Sequence, residues 1–397
     1  MLKLKFNFHD VFRAPRLAFS LQRMWIQLAG LFFGYLGYLV FTYVSFLLNG
    51  FPFQTAWAQY GLFPCIFMTG EVFPWYGLVL GIIGIAILVV AMLITNTAVA
   101  RAVYMSAKGN TFYTWRESFA FAFRKIGSVL LTPISLAVLI GLLVLGALVI
   151  GLLGKIPFIG EIGVSLFTVI WFLAALFLFF VGIVAVITLF YAPPILATTD
   201  EDAFEAVFQT FSITWSQPWR LVFYQAITVV LSVLAMGIFA FFAKEAIMIM
   251  NGLFASFMGS DFINLANNGQ AMLQNWTLMA EQAVELLYRG YDELVFFSRE
   301  FLMVSDVAVS VVISSYLYAL SLLFIGGWVL SYGLSTFTAG NTLAYIVMRQ
   351  KKDEENLLER VDKEEEEESD DEESSEETDE SSESGQEDEN EENKEKE

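Results

Sequence analysis

Residues 190–221 read FYAPPILATTDEDAFEAVFQTFSITWSQPWRL. An apolar run stops at Pro193-Pro194, a short acidic segment follows, and a second apolar run starts at Trp219. Neither proline donates a backbone hydrogen bond, so the pair is expected to end a helix. Thr198-x-x-Glu201 has the capping-box pattern that restarts one, with Asp200, Glu201, Asp202 and Glu205 near the positive end of its dipole. Phe204, Val207, Phe208, Phe211 and Trp215 recur at helical spacing and form an apolar stripe, which Pro218 closes. The stretch predicts two membrane-spanning helices joined by an amphipathic helix lying at the membrane surface.

Working outward, the same device recurs. A bilayer demands about 20 consecutive apolar residues, and runs near 25–48, 75–95, 130–153, 162–191, 219–242 and 316–346 meet that length. Trp25–Leu48 is too long for a signal-peptide core and is read as the first span. Residues 1–24 form a basic arm, with Lys3, Lys5, Arg13, Arg16 and Arg23 among apolar residues, expected to be helical beyond Pro15. Thr114-x-x-Glu117 is a capping box, and Trp115, Phe119, Phe123 and Ile126 share a helical face. Segments 114–126 and 199–216 align without a gap, Glu117 over Glu205 and Phe123 over Phe211. With 10–24 they suggest three units of amphipathic helix, span, turn and span. Residues 244–300 are the one sizeable segment on the opposite side, and Trp276–Glu300 reads helical.

Composition agrees with a membrane protein. Soluble chains carry about 25% charged residues; this one has 16%, with 56% hydrophobic residues and a mean hydropathy of +0.60. The net charge of −20 divides unevenly, since residues 1–352 sum to +2 and residues 353–397 to −22. The latter are Glu/Asp/Ser low complexity and are expected to form a disordered, extended tail. Lys and Arg concentrate on the side holding both termini, which predicts cytoplasmic ends.

The expected fold is therefore all-α. It is a polytopic bundle of about six spans (residues 25–352) with interfacial helices, the basic arm 1–24 and the acidic tail 353–397.

The chemistry-bearing residues are few. Cys65 is alone and His9 is the single histidine, so neither a disulfide nor a metal ligand set is expected, and no cofactor is implied. Glu71, Glu161 and Asp306 lie near the ends of spans without a histidine or nucleophile beside them, which argues against an enzyme. No ionisable residue falls within the six expected membrane cores, which disfavours ion-coupled transport. Two sites are singled out. A cytoplasmic collar would pair Asp200, Glu201, Asp202 and Glu205 with Arg116, Arg124 and Lys125, by charge complementarity. A solute cavity would be lined by Tyr35, Tyr38, Asn96 and Gln225. Gly30/Gly34, Gly77/Gly81 and Gly141/Gly146/Gly151 are expected to allow close helix approach.

YAPPILATTDEDAFEAVFQTF and the exit AYIVMRQKKD (residues 344–353) resemble bacterial multispan proteins. These are similar in layout to the membrane domain attached to some glycerophosphodiester phosphodiesterases. The resemblance covers most of residues 1–353 and implies a membrane bundle with interfacial helices, expected in a bacterial inner membrane. It carries no catalytic residue over to this chain. The expected function is a lipid-associated scaffold or partner-binding component. Its partners are membrane lipids and a protein reached through 244–300 or the acidic tail, with no nucleic acid. A permease or exporter of an apolar or lipid-like solute is the alternative.

Overall fold

The computed structural model describes residues 3–68, 73–110, 112–287, 303–304 and 307–360. In hydrocarbon a single segment satisfies its backbone groups only as a helix. Twelve α-helices and no strand occur among the described residues. A 3-10 turn, Phe8–Arg13, leads into α1 (Ala14–Ala18), α2 (Leu21–Leu48), α3 (Phe53–Tyr60), α4 (Trp75–Lys108), α5 (Trp115–Arg124) and α6 (Ile126–Leu153). Then come α7 (Ile159–Leu166), α8 (Thr168–Thr199), α9 (Ala203–Ser216), α10 (Pro218–Met258), α11 (Ser260–Leu287) and α12 (Val309–Asp353). Six of them, α2, α4, α6, α8, α10 and α12, are long and apolar enough to cross a membrane. The chain is an integral membrane protein built as a helical bundle.

The bundle repeats one motif three times: α1-α2-α4, α5-α6-α8 and α9-α10-α12. Each unit opens on a short polar residue with an acid three positions on. The Asn7 N–H donates to Asp10 Oδ2 at 3.1 Å, and the Thr114 N–H to Glu117 Oε2 at 2.7 Å. In the third unit the Glu205 N–H donates to Asp202 Oδ1 at 3.0 Å. The residue after each acid (Val11, Ser118, Ala206) is fully buried. Each unit closes on a left-handed cap at Gly109, Asp200 or Glu354. Twelve positions before each cap stands a fully buried threonine, Thr97, Thr188 or Thr342. Its hydroxyl donates to the carbonyl four residues back.

The packing is cyclic as well. Helix α5 packs on α4 and α9 on α8, each on the last span of the preceding unit, and α1 closes the ring on α12. The last spans α4, α8 and α12 also touch one another. From Leu93, Tyr191 and Ser331 onward these three helices are buried almost continuously. Towards the opposite end the spans expose apolar side chains, such as Leu148 and Leu152 of α6 and Phe172 and Phe179 of α8. That surface suits hydrocarbon.

The first hairpin is the tightest, and glycines make it so. A Cβ at Gly30 would stand 2.1 Å from Thr95 Cγ2, and one at Gly34 2.7 Å from Ala91 Cβ. Gly77 and Gly81 meet Asn49 and Ile66 in the same way. Gly141, Gly146 and Gly151 behave otherwise, because nothing lies within 4 Å of a Cβ built on them. They face outward on α6 and do not serve the close approach expected of them. Gly30→Leu should therefore force α2 from α4 and lower stability in detergent by about 1–3 kcal/mol, whereas Gly141→Leu should change it by less than about 0.5 kcal/mol. A thermal melt of the two variants checks this.

Several boundaries differ from those read in the sequence. Helix α8 does not stop at Pro193-Pro194 but runs through both to Thr199. An interior proline costs about 3 kcal/mol in helix propensity, yet residues 191–199 are all buried against the other units, and that packing outweighs the local preference. Thr198 consequently lies inside the helix, donating to the Pro194 carbonyl at 2.8 Å, and Asp202 takes over the capping role. The arm does not form one helix, because the chain kinks at Phe19-Ser20 between α1 and α2. Helices α4, α10 and α12 overrun their expected spans, to Lys108, to Met258 and from Val309 to Asp353. Much of the 244–300 segment thus belongs to α10 and to α11, which returns along α12. Residues 288–300, Glu71 and Asp306 lie outside the described residues. The tail boundary also moves. Residues 354–360 fold back onto the bundle, with Leu357 and Leu358 buried, while 361–397 lie outside the described residues.

Candidate functional site

The end of the bundle where α4, α8 and α12 converge gathers most of its charge. Arg101 stands at the centre, with no exposed surface, in the helical run Asn96–Met105. Its Nη1 donates to the Ala197 carbonyl at 3.0 Å, tying α4 to α8. The guanidinium lies 4.4 Å from the centroid of the Phe121 ring and 5.6 Å from that of Tyr104, so α5 covers it. Cation–π contact and a charge-assisted hydrogen bond compensate the desolvation of a buried cation in part.

Around Arg101 the charges are matched in pairs. Lys125 Nζ lies 2.6 Å from Asp200 Oδ1 and donates to the Asp200 carbonyl at 2.8 Å, joining the α5–α6 corner to the end of α8. Asp200 tolerates its left-handed φ of 53° because short polar side chains enter that region at least cost. Beyond the cap at Glu354 the chain turns back across the three helix ends. The Tyr104 hydroxyl donates to the Leu357 carbonyl at 2.7 Å, and Lys108 Nζ to the Arg360 carbonyl at 2.9 Å. Arg360 Nη2 meets Glu201 Oε1 at 2.7 Å, and Arg349 grips Glu355 Oε2 through Nε and Nη2 at 3.0 and 2.9 Å. Partial burial alone would lower the Arg360 pKa, but the hydrogen bond and charge of Glu201 reverse this and the net shift is upward. That anchor therefore stays cationic.

The collar expected from charge complementarity is thus assembled from other pairs. Lys125 and Asp200 come together as expected. Glu201 turns to Arg360, Asp202 caps α9, and Glu205 accepts from Gln209 within its own helix. Arg116 lies beside the Trp115 ring at 5.4 Å and Arg124 beside Phe121 at 5.6 Å. The acids lie at the start of α9 and the end of α8, where they serve caps and neighbours before distant arginines. Partly exposed pairs of this kind contribute about 0–1 kcal/mol each. Burial of Leu357 and Leu358 contributes more, about 1.5–3 kcal/mol per side chain.

Among the described residues, most of those expected to line a solute cavity take up other contacts. The Tyr35 and Tyr38 hydroxyls donate to the Leu62 and Pro64 carbonyls, clasping the loop after α3 at the opposite end. Asn96 Oδ1 accepts from Gln27 Nε2 and from the Thr338 hydroxyl, both at 3.1 Å, and so bonds α4 to α2 and α12. Gln225 is half-buried on α10. Three of the four are engaged in fixing helices and loops, and the four do not share one space. A groove of about 510 Å3 lies elsewhere, between α1, α10 and α12.

Among the described residues no group of three or more His, Cys, Asp or Glu side chains is placed to hold a metal. No family model, curated protein or solved structure matches the chain. The convergence end is a closed clamp in which Asp200, Glu201 and Glu355 each face a cation, and it fixes the segment that leads into the acidic residues. Sequence reasoning missed two of its parts. The second span as read from the sequence ends near residue 95 and leaves Arg101 beyond it, although Ala98, Val99, Ala100 and Ala102 carry the helix past that position. Leu357-Leu358, the one adjacent apolar pair in residues 353–397, was absorbed into the tail.

Proposed function

We propose that this protein is a non-enzymatic component of a bacterial inner membrane, a lipid-associated scaffold that binds a partner through its acidic C-terminal residues. The bias of Lys and Arg towards the side of the termini supports a cytoplasmic location for both. One observation carries the reading: residues 354–360 are docked across the ends of α4, α8 and α12, by Leu357, Arg360 and their partners. A chain that anchors the base of a highly charged segment presents that segment at a fixed place. The helix-to-helix use of Asn96, Gln27 and Thr338 supports a packed core over a polar path. The layout shared with phosphodiesterase-attached membrane domains is part of the same proposal. Transport of an apolar solute is the second reading, favoured by the groove beside α10 alone.

The test compares the full chain with one lacking residues 361–397, both purified in mild detergent, with retained proteins identified by mass spectrometry. A partner held by the full chain, released by salt and absent from the truncated chain is expected. Identical protein content in the two, together with solute flux into liposomes, would favour the transport reading instead.

A further inference from the structure

We infer that the groove between α1, α10 and α12 binds one acyl chain of an anionic glycerophospholipid, whose phosphate is held by Arg16. At about 510 Å3 the groove falls within the size of ligand cavities. Its walls are Leu231, Ala235 and Ile238 of α10, and its lining is almost wholly apolar. Phe19, Phe239 and Tyr332 build an aromatic corner, with ring centroids 5.4 to 6.2 Å apart and planes close to perpendicular. The one hydroxyl among these residues, that of Tyr332, is already committed, donating to the Pro15 carbonyl at 3.1 Å. The groove therefore offers a polar solute nothing and a hydrocarbon chain a continuous apolar wall.

Two further observations select a phospholipid. Helices α10 and α12 are both span-forming, so a groove on their outer face opens to the bilayer, where acyl chains are the surrounding medium. Pro15 of α1 and Phe19 just beyond it line the groove, and Arg16 follows Pro15 in the chain. Arg16 is exposed and has no protein partner among the described residues. Its neighbours differ: Arg13 lies 3.7 Å from Asp10 and donates to the Lys3 carbonyl, and Arg23 donates to the Leu17 carbonyl. An exposed guanidinium on the helix that borders an apolar groove matches a phosphate ester with a hydrocarbon tail, since its planar fork pairs with phosphate oxygens.

The inference deepens the lipid-associated reading and rests on it, but the two fail separately, because partner binding is read through residues 361–397 and this site through lipid alone. The experiment is native mass spectrometry of the full chain in mild detergent, titrated with dioleoyl phosphatidylglycerol, dioleoyl phosphatidylcholine or oleate. One phosphatidylglycerol is expected to bind about tenfold tighter than phosphatidylcholine, the preference a charge-assisted contact supplies. Arg16→Glu should abolish that preference. Ile238→Trp, at an exposed wall position, should fill the groove and remove the bound lipid while the melting curve stays unchanged; Leu234→Trp provides a second filling variant. Equal binding of the two phospholipids, lipid retained by both tryptophan variants, or oleate bound as tightly as phosphatidylglycerol and unaffected by Arg16→Glu would each overturn the proposal.

Discussion

Arg101→Ala is expected to lower the stability of the purified protein by about 3 kcal/mol, the combined cost of an interior void and a lost charge-assisted hydrogen bond. The side chain is fully buried where three helices meet, and it reaches α8 through Ala197 and α5 through Phe121. Its removal leaves the Ala197 carbonyl without that donor and the Phe121 ring without the cation beside it. Arg101→Lys should recover only part of the loss, since an ammonium keeps the charge but not the planar stack or the fork of donors. Thermal melts of wild type and both variants in the same detergent measure the effect. A melt for Arg101→Ala superimposable on wild type would show that the buried cation does not hold the helices together.

Leu357→Asp should release residues 354–360 from the bundle while leaving the six long helices in place. The substitution removes an apolar side chain with no exposed surface and sets a carboxylate two residues from Glu355, whose cation Arg349 is already committed. Losing about 2–3 kcal/mol of local stability raises the open population by more than tenfold. Trypsin cleavage after Arg360 is the readout, because wild type holds that residue by its guanidinium and its carbonyl. Cleavage is expected to be at least tenfold faster in the variant, and Leu357→Met, which keeps the apolar volume, should cleave like wild type. Equal rates for Asp and Met would mean that the docked segment is not what protects the bond.

The membrane bundle was legible because hydrocarbon imposes so few solutions: six apolar runs, each punctuated by glycine, proline or charge, become six long helices. Thr114 and Glu117 cap α5 as their spacing says, since a capping box is settled within four residues. What could not be read locally was settled by packing between units. Pro193 and Pro194 look like a terminus, but the helix around them is enclosed by α4 and α12 and is kept whole. Arg101 looks like a loop cation, since nothing within a few residues tells that Phe121 and Ala197 will surround it. The cavity residues misled for a similar reason. Tyr35, Tyr38 and Asn96 are polar on apolar helices, and only the neighbouring carbonyls and amides reveal that they bind helices and loops. The groove is not legible in the sequence because its residues come from three distant segments, each of ordinary apolar composition.

The account rests on three repeated units, each entering and leaving the membrane on one face, and labelling of single cysteines tests it most directly. In a Cys65→Ser background, cysteines at Lys5, Asn110, Phe204 and Glu354 mark the face where the units begin and end, and cysteines at Pro52, Lys155 and Ser260 mark the turns between their spans. A membrane-impermeant maleimide applied to intact cells should label the second group alone. Labelling that mixes the two groups, with some members of each reacting while the membrane is intact, would contradict the three-unit arrangement.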